Sequence, residues 1–116
     1  MEIKNNTRLY GMLGFAMRAG RVIIGTEIVC SSMSRRGKDS PKLVLVSFTA
    51  SAGTKKKVLT KSEFYHIDCI VIDIDSGELG RLLGKTYAPT VIAITDERFA
   101  DEIKRAIGSD NQGGDQ

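Results

Sequence analysis

Val91-Ile92-Ala93-Ile94-Thr95-Asp96-Glu97-Arg98-Phe99-Ala100 reads as a strand running straight into a helix, and this join decides the fold class. Four consecutive apolar residues, three of them β-branched, suit a short strand covered on both faces. Asp96 and Glu97 follow, where carboxylates satisfy the free amides of a first helical turn and complement its dipole. Phe99, Ile103, Ala106 and Ile107 then fall on one stripe, which predicts a helix over 96–107.

The same unit recurs upstream. Leu43-Val44-Leu45-Val46 precedes a helix starting near Ser51, and Cys69-Ile70-Val71-Ile72 precedes one over Asp75–Gly84. Nearer the N-terminus, Leu9, Leu13, Ala16 and Met17 recur at helical spacing, Gly20 stops that helix, and Val22-Ile23-Ile24 follows as a strand. Gly25 and Thr26 stand where a second helix begins. Val29 and Met33 mark its apolar face and Arg35, Arg36 and Lys38 a basic end. Four strands alternating with helices predict an α/β chain folded as a three-layer α-β-α sandwich. Gly11 and Gly14 each cost the first helix about 1 kcal/mol relative to Ala, which points to another element packed close to its backbone.

With 116 residues and 12.7 kDa the chain suits one domain, expected over 1–107. Gly108-Ser109-Asp110-Asn111-Gln112-Gly113-Gly114-Asp115-Gln116 is too polar to bury surface, so 108–116 is expected to be a disordered tail. No apolar run approaches the ~20 residues that cross a bilayer. The first residues lack the apolar core of a secretory signal, so a cytoplasmic protein without a membrane partner is expected. Cys30 and Cys69 lie far apart in apolar surroundings and are read as core packing residues. A lone His66 supplies too few ligands for zinc, so no metal or other cofactor is expected.

Net charge is +3, unevenly spread. Residues 1–61 hold twelve Lys/Arg against three acids, and residues 62–116 hold five against eleven. Such a split, +9 against −6, is the footprint of an electropositive face built for an anionic partner, unless the signs mix again in space.

Enzyme signatures are missing. The turn after the first strand, Gly25-Thr26-Glu27-Ile28, lacks the G-x-G-x-x-G that lets backbone approach a pyrophosphate. Gly53-Thr54-Lys55-Lys56 lacks the first Gly and the Ser/Thr of a phosphate-binding loop. Asp73 and Asp75 resemble the start of a calcium loop without its further ligands, whereas Asp75 and Glu78 suit a helix N-cap and its N3 partner. His66, at a helix end, reads as a capping or surface residue. What remains is a helix start at Gly25, preceded by Arg18 and Arg21 and followed by Arg35 and Arg36. Such an arrangement suits phosphate, since the amides accept it, glycine lets it approach and guanidinium groups neutralise it or stack on bases.

Four segments carry a resemblance. They are Leu13-x-x-Ala16-x-Arg18-Ala19-Gly20-Arg21-Val22-x-x-Gly25, Lys42-Leu43-Val44-Leu45-Val46, Leu79-Gly80-x-x-x-Gly84-Lys85 and Val91-x-Ala93-Ile94-Thr95-Asp96-x-x-Phe99-Ala100. Together they resemble the bacterial YlxQ-like branch of the ribosomal kink-turn RNA-binding family over about residues 8–107. The resemblance implies an α-β-α sandwich around a mixed four-stranded sheet and non-catalytic binding of structured RNA, a ribosomal RNA or an RNA leader, with the ribosome as a candidate partner. It implies an RNA-binding surface formed by the N-terminal half of the second helix, namely Gly25, Thr26, Glu27, Ile28, Ser31 and Arg35, together with the loop Gly84–Thr90. Tyr87, Ala88 and Pro89 would supply the platform of the loop Gly84–Thr90, with Arg18 and Arg21 beside the phosphates. The family pattern has Asn or Lys, then Glu, where this chain has Glu27 and Ile28, and Lys where it has Ser31. A protein-interaction module on the same scaffold is the alternative. Lys55, Lys56, Lys57 and Lys61 read either as an extension of the RNA footprint or as a solvated helix face.

Overall fold

The computed structural model describes the backbone of residues 3–115 and the side chains of residues 7–108. Nine elements follow in order: α1 (Ile3–Arg18), β1 (Val22–Ile24), α2 (Thr26–Ser32), β2 (Leu43–Ser47), α3 (Ala52–Phe64), β3 (Asp68–Ile72), α4 (Ser76–Leu82), β4 (Val91–Ile94) and α5 (Glu97–Asp115). The four apolar runs are the four strands. They form one sheet in the order β1-β4-β2-β3, with β2 and β3 parallel and the other two pairs antiparallel. The sheet is therefore mixed.

Side chains alternate across the pleat, so each buried strand feeds two cores. Leu43 and Leu45 of β2 join Ile92 and Ile94 of β4 on one face, beneath Leu13, Leu79 and Ile103 of α1, α4 and α5. Val44 and Val46 join Val91 and Ala93 on the other, beneath Val29 of α2 and Val58 of α3. With both faces covered, the four central positions of β2 and β4 are buried throughout, which is why these runs show no polar alternation.

Helix ends follow the local chemistry. Ser51, Asp75 and Asp96 accept from the amides of Thr54 (3.1 Å), Glu78 (2.8 Å) and Phe99 (3.0 Å), each capping its helix three residues on. The capping reading of Asp75 and Glu78 holds. Gly20 and Gly84, at φ 73° and 71°, close α1 and α4 in left-handed turns. In both, the next amide reaches back to a carbonyl five residues earlier, Arg21 to Ala16 (2.9 Å) and Lys85 to Gly80 (2.8 Å). His66 does the same for α3 at φ 58°, with Ile67 N–H donating to the Ser62 carbonyl at 2.8 Å, so the lone histidine is a capping residue.

Two expectations are corrected. α2 ends at Ser32, so Arg35, Arg36 and Lys38 follow the helix in the connection to β2 and do not form its last turn. Ser32 Oγ donates back to the Val29 carbonyl at 2.7 Å, and serines at 31, 32 and 34 are poor helix formers that favour such local bonds. Gly11 and Gly14 do not mark close packing: a methyl group on Gly11 would meet nothing within 4 Å, and one on Gly14 only the Arg18 guanidinium at 3.9 Å. The tight glycine is Gly80, where a methyl group would collide with the backbone carbonyl of Tyr87. In the tail expected to be disordered, 108–116, the backbone continues α5 as helix to Asp115, and the side chains beyond Gly108 lie outside the described residues.

Candidate nucleic-acid interface

Register places one end of the sheet. β1 and β4 are antiparallel with Ile24 opposite Ile92, so the chain leaves β1 beside the start of β4. Gly25 N–H donates to the Val91 carbonyl at 2.9 Å, and Ser47 N–H donates to the Thr90 carbonyl at 2.8 Å. The start of α2 and the loop 84–90 are thus brought together, with the ends of β2 and β3 beside them. At Gly25 the backbone adopts φ 116°, which a side chain rarely tolerates, and no side chain caps the helix it opens.

This end is braced by bonds that the sequence pattern did not single out. Buried Ser47 donates its hydroxyl to the Ile74 carbonyl at 2.7 Å and pairs with the Thr49 hydroxyl at 2.8 Å, and Ser76 N–H donates to Thr49 at 3.1 Å. Gly80 lets α4 lie directly against the Tyr87 backbone, with buried Pro89 beside it. The loop is therefore held from below while Tyr87 and Ala88 stay exposed. Ile28 and Tyr87 are 58% and 56% exposed, large apolar groups more than half open to solvent.

On α2, Glu27, Ile28 and Ser31 share one exposed face, three and four residues apart. Thr26 is half-buried. Glu27 is paired: Lys57 of α3 reaches its carboxylate at 2.9 Å. That hydrogen bond, and then the charge behind it, raises the Lys57 ammonium above its ordinary range. The acid at the helix start is thus partly neutralised from the neighbouring helix.

The arginines lie elsewhere. Arg21 immediately precedes β1, four residues of near-extended chain from Gly25, or about 13 Å, and its guanidinium faces Asp39 at 3.6 Å. Arg35 follows the far end of α2, about 10 Å along a seven-residue helix. Arg18 closes α1 on the opposite face of the sheet, 5.0 Å over the Phe15 ring. The exposed residues of Gly25–Ser31 therefore form one surface with Tyr87 and Ala88, buried Pro89 lies beneath it, Arg21 and Arg35 lie a helix length below it, and Arg18 lies on another layer.

Charge segregates in space as it does in sequence. Residues 25–38 and 51–66, which build the α2–α3 layer, carry seven Lys/Arg against two acids. Asp73, Asp75 and Glu78 gather instead around α4, where, after burial itself, they push the Tyr10 hydroxyl upward. Among the described residues no group of three His, Cys, Asp or Glu could hold a metal ion, and no helix is long and apolar enough to cross a membrane. Cys30 is buried in the α2–α3 core. Half-buried Cys69 packs against it, its thiol pushed up by burial.

Comparison with known proteins adds independent findings. The model of the ribosomal protein L7Ae/L30e/S12e/Gadd45 family matches residues 7–104. The RNA-binding protein YlxQ of Enterococcus faecium is 33% identical over 107 residues, covering 92% of this chain and 98% of that protein. YlxQ of Bacillus subtilis is 34% identical, covering 81% and 89%. The large ribosomal subunit protein eL30 of Sulfolobus acidocaldarius is 34% identical, covering 82% and 94%. A Bacillus halodurans protein of unknown function superposes with a TM-score of 0.78 at 32% identity, over 87% of this chain and 97% of that one. A Giardia lamblia 15.5 kD RNA-binding protein superposes with a TM-score of 0.73 at 14% identity, over 94% and 89%, a likeness of fold alone.

Proposed function

The chain belongs to the ribosomal protein L7Ae/L30e/S12e/Gadd45 family, and on that premise we propose that it is a non-catalytic, cytoplasmic protein that binds structured RNA. The RNA is bent, of the kink-turn kind, and belongs to a ribosomal RNA or a structured leader. One observation carries the reading: the Gly25 amide bonds the Val91 carbonyl, joining the start of α2 to the loop 84–90 in one exposed surface. RNA helices offer a wide, shallow minor groove, and splayed nucleotides offer faces for stacking. The α2 start would enter the groove beside a bend, and Tyr87 with Ala88 would pack on an extruded nucleotide while buried Pro89 supports them from below. Arg21 and Arg35, a helix length away, suit the phosphates that follow. Arg18 is the weakest contact, since it lies on the α1 layer.

The seven cations of the α2–α3 layer and the relatives that carry RNA-binding and ribosomal names support RNA as the partner. Ile28 accepts no hydrogen bond from a guanine edge, so recognition leans on shape and backbone more than on base edges. Filter binding of a kink-turn RNA against a straight duplex of equal length, in about 0.15 M salt, tests the proposal. Tighter binding of the kink-turn is expected; equal affinity for the two removes bend recognition.

A second reading has its own observation. Ile28 and Tyr87, both more than half exposed at one sheet end, also suit a protein partner. The absorbance ratio at 260 and 280 nm of protein purified without nuclease separates the two. Co-purifying nucleic acid favours RNA, and a clean protein spectrum favours the protein-interaction module.

A further inference from the structure

The outer face of α3 carries a feature that the α2 surface does not use. Gly53, Lys57, Lys61 and Phe64 recur every three or four residues and, with Lys56 and Tyr65 beside them, line an open groove of about 610 Å³. A second groove of about 430 Å³ shares Phe64 and Tyr65 and is walled by Arg35, Arg36 and His66. Phe64 is 73% exposed, more than any other large apolar side chain among the described residues. Its ring meets Tyr65 edge-on, with centroids 4.9 Å apart at 87°, and Tyr65 is half-buried against the core below. An exposed aromatic face thus stands against a ring anchored on the core. Lys56, Lys61, Arg35 and Arg36 form no ion pair among the described residues, so the cations around it are uncommitted.

We propose that this groove takes a single-stranded segment of the RNA, with one base stacked on Phe64 and the phosphates running past Lys56 and Lys61. The inference rests on the RNA-binding reading above. A duplex buries its base faces and offers nothing to Phe64, whereas every unpaired base has a π-face, and stacking platforms beside cationic grooves are the common solution for single strands. The groove is also continuous with the α2 start. Lys57 bridges to Glu27 at 2.9 Å, and Phe64 lies seven residues further along α3, about 10 Å. A strand leaving the bend would therefore meet the lysines first and the aromatic ring next.

The experiment compares three fluorescently labelled RNAs by anisotropy: a kink-turn, the same kink-turn with a single-stranded extension of ten nucleotides, and that decamer alone. Wild-type protein is expected to bind the extended RNA about tenfold more tightly than the bare kink-turn, the scale of one stacked base. Phe64→Ala, at an exposed position, should remove that gain and leave the bare kink-turn affinity unchanged. Lys56→Gln with Lys61→Gln should lower the salt slope for the extended RNA by about 1.4, for two single-strand phosphates lost. No gain from the extension, or a gain that survives Phe64→Ala, overturns the groove while leaving the α2 surface intact. Should the kink-turn itself not be preferred over a straight duplex, the decamer decides alone. Its binding must then depend on Phe64, and binding that ignores Phe64→Ala overturns the proposal.

Discussion

Adding one methyl group at Gly80 is a local test of what holds the proposed RNA-facing loop. The new Cβ would fall far inside contact distance of the Tyr87 carbonyl oxygen and 3.3 Å from Pro89 Cδ. The obstacle is backbone, tied at the next residues by the bonds from Ser47 N–H to Thr90 (2.8 Å) and Gly25 N–H to Val91 (2.9 Å). Relief requires loop and helix to part by roughly 1 Å, given ordinary carbon contacts. Overpacking of this kind costs at most about 3 kcal/mol, and the better helix propensity of Ala returns about 1, leaving a loss of about 2 kcal/mol. For a domain of this size the midpoint should fall by about 8 °C. Gly11→Ala is the matched control: nothing lies within 4 Å of its Cβ on an exposed turn of α1, so the same chemical change should stabilise by about 0.5–1 kcal/mol. Thermal unfolding of both variants by circular dichroism reads the signs. A Gly80→Ala protein as stable as wild type would refute the claim that α4 touches the loop backbone, and a destabilised Gly11→Ala would refute the claim of open space.

Further outcomes follow from the same contacts. With four to six phosphates contacted, log K for RNA should fall with log salt at a slope of about −4 to −5, and Arg21→Ala with Arg35→Ala should flatten it by about 2; an unchanged slope in the double variant removes those arginines from the interface. Asp75→Ala strips the Glu78 amide of its 2.8 Å acceptor and should cost about 1 kcal/mol in urea unfolding, with no cost if the cap is redundant. The raised Cys69 thiol, protonated in the fold when the unfolded chain ionises, contributes stability that is complete below the ordinary thiol range and is lost as pH rises through the folded value. Iodoacetamide at pH 8 should therefore label Cys69 far more slowly in the folded protein than in urea, and equal rates would contradict its burial.

Much of the fold is legible because its determinants are local. Val22–Ile24, Leu43–Val46, Cys69–Ile72 and Val91–Ile94 are unbroken apolar runs, and in the central strands β2 and β4 the cause is helices covering both sheet faces. Asp75, Asp96, Ser51 and Gly84 signal helix ends by chemistry that acts within a few residues. The Gly25 start of α2 is legible for the same reason. What escapes is set at long range. Gly11, Gly14 and Gly80 look alike in sequence, and only the packing of α4 against the loop 84–90 separates the crowded one from the two in the open. The periodicity of Val29 and Met33 extends α2 toward the arginines, but Ser32 turns its hydroxyl back onto the helix and ends it early. Arg18, Arg21 and Arg35 lie within seventeen residues of one another, yet the sheet puts them on two layers. Phe64 belongs to no motif in the sequence, and only its exposure and the Tyr65 ring behind it single it out.

The central claim is that the start of α2 and the loop 84–90 act as one RNA-facing surface. Backbone amide resonances recorded while a kink-turn RNA is titrated into the labelled protein test it most directly. The account predicts shifts or broadening concentrated at Gly25–Ser31 and Gly84–Thr90, with α4 and α5 outside the footprint. Perturbations centred on the α4–α5 face, or none at the α2 start, would contradict it.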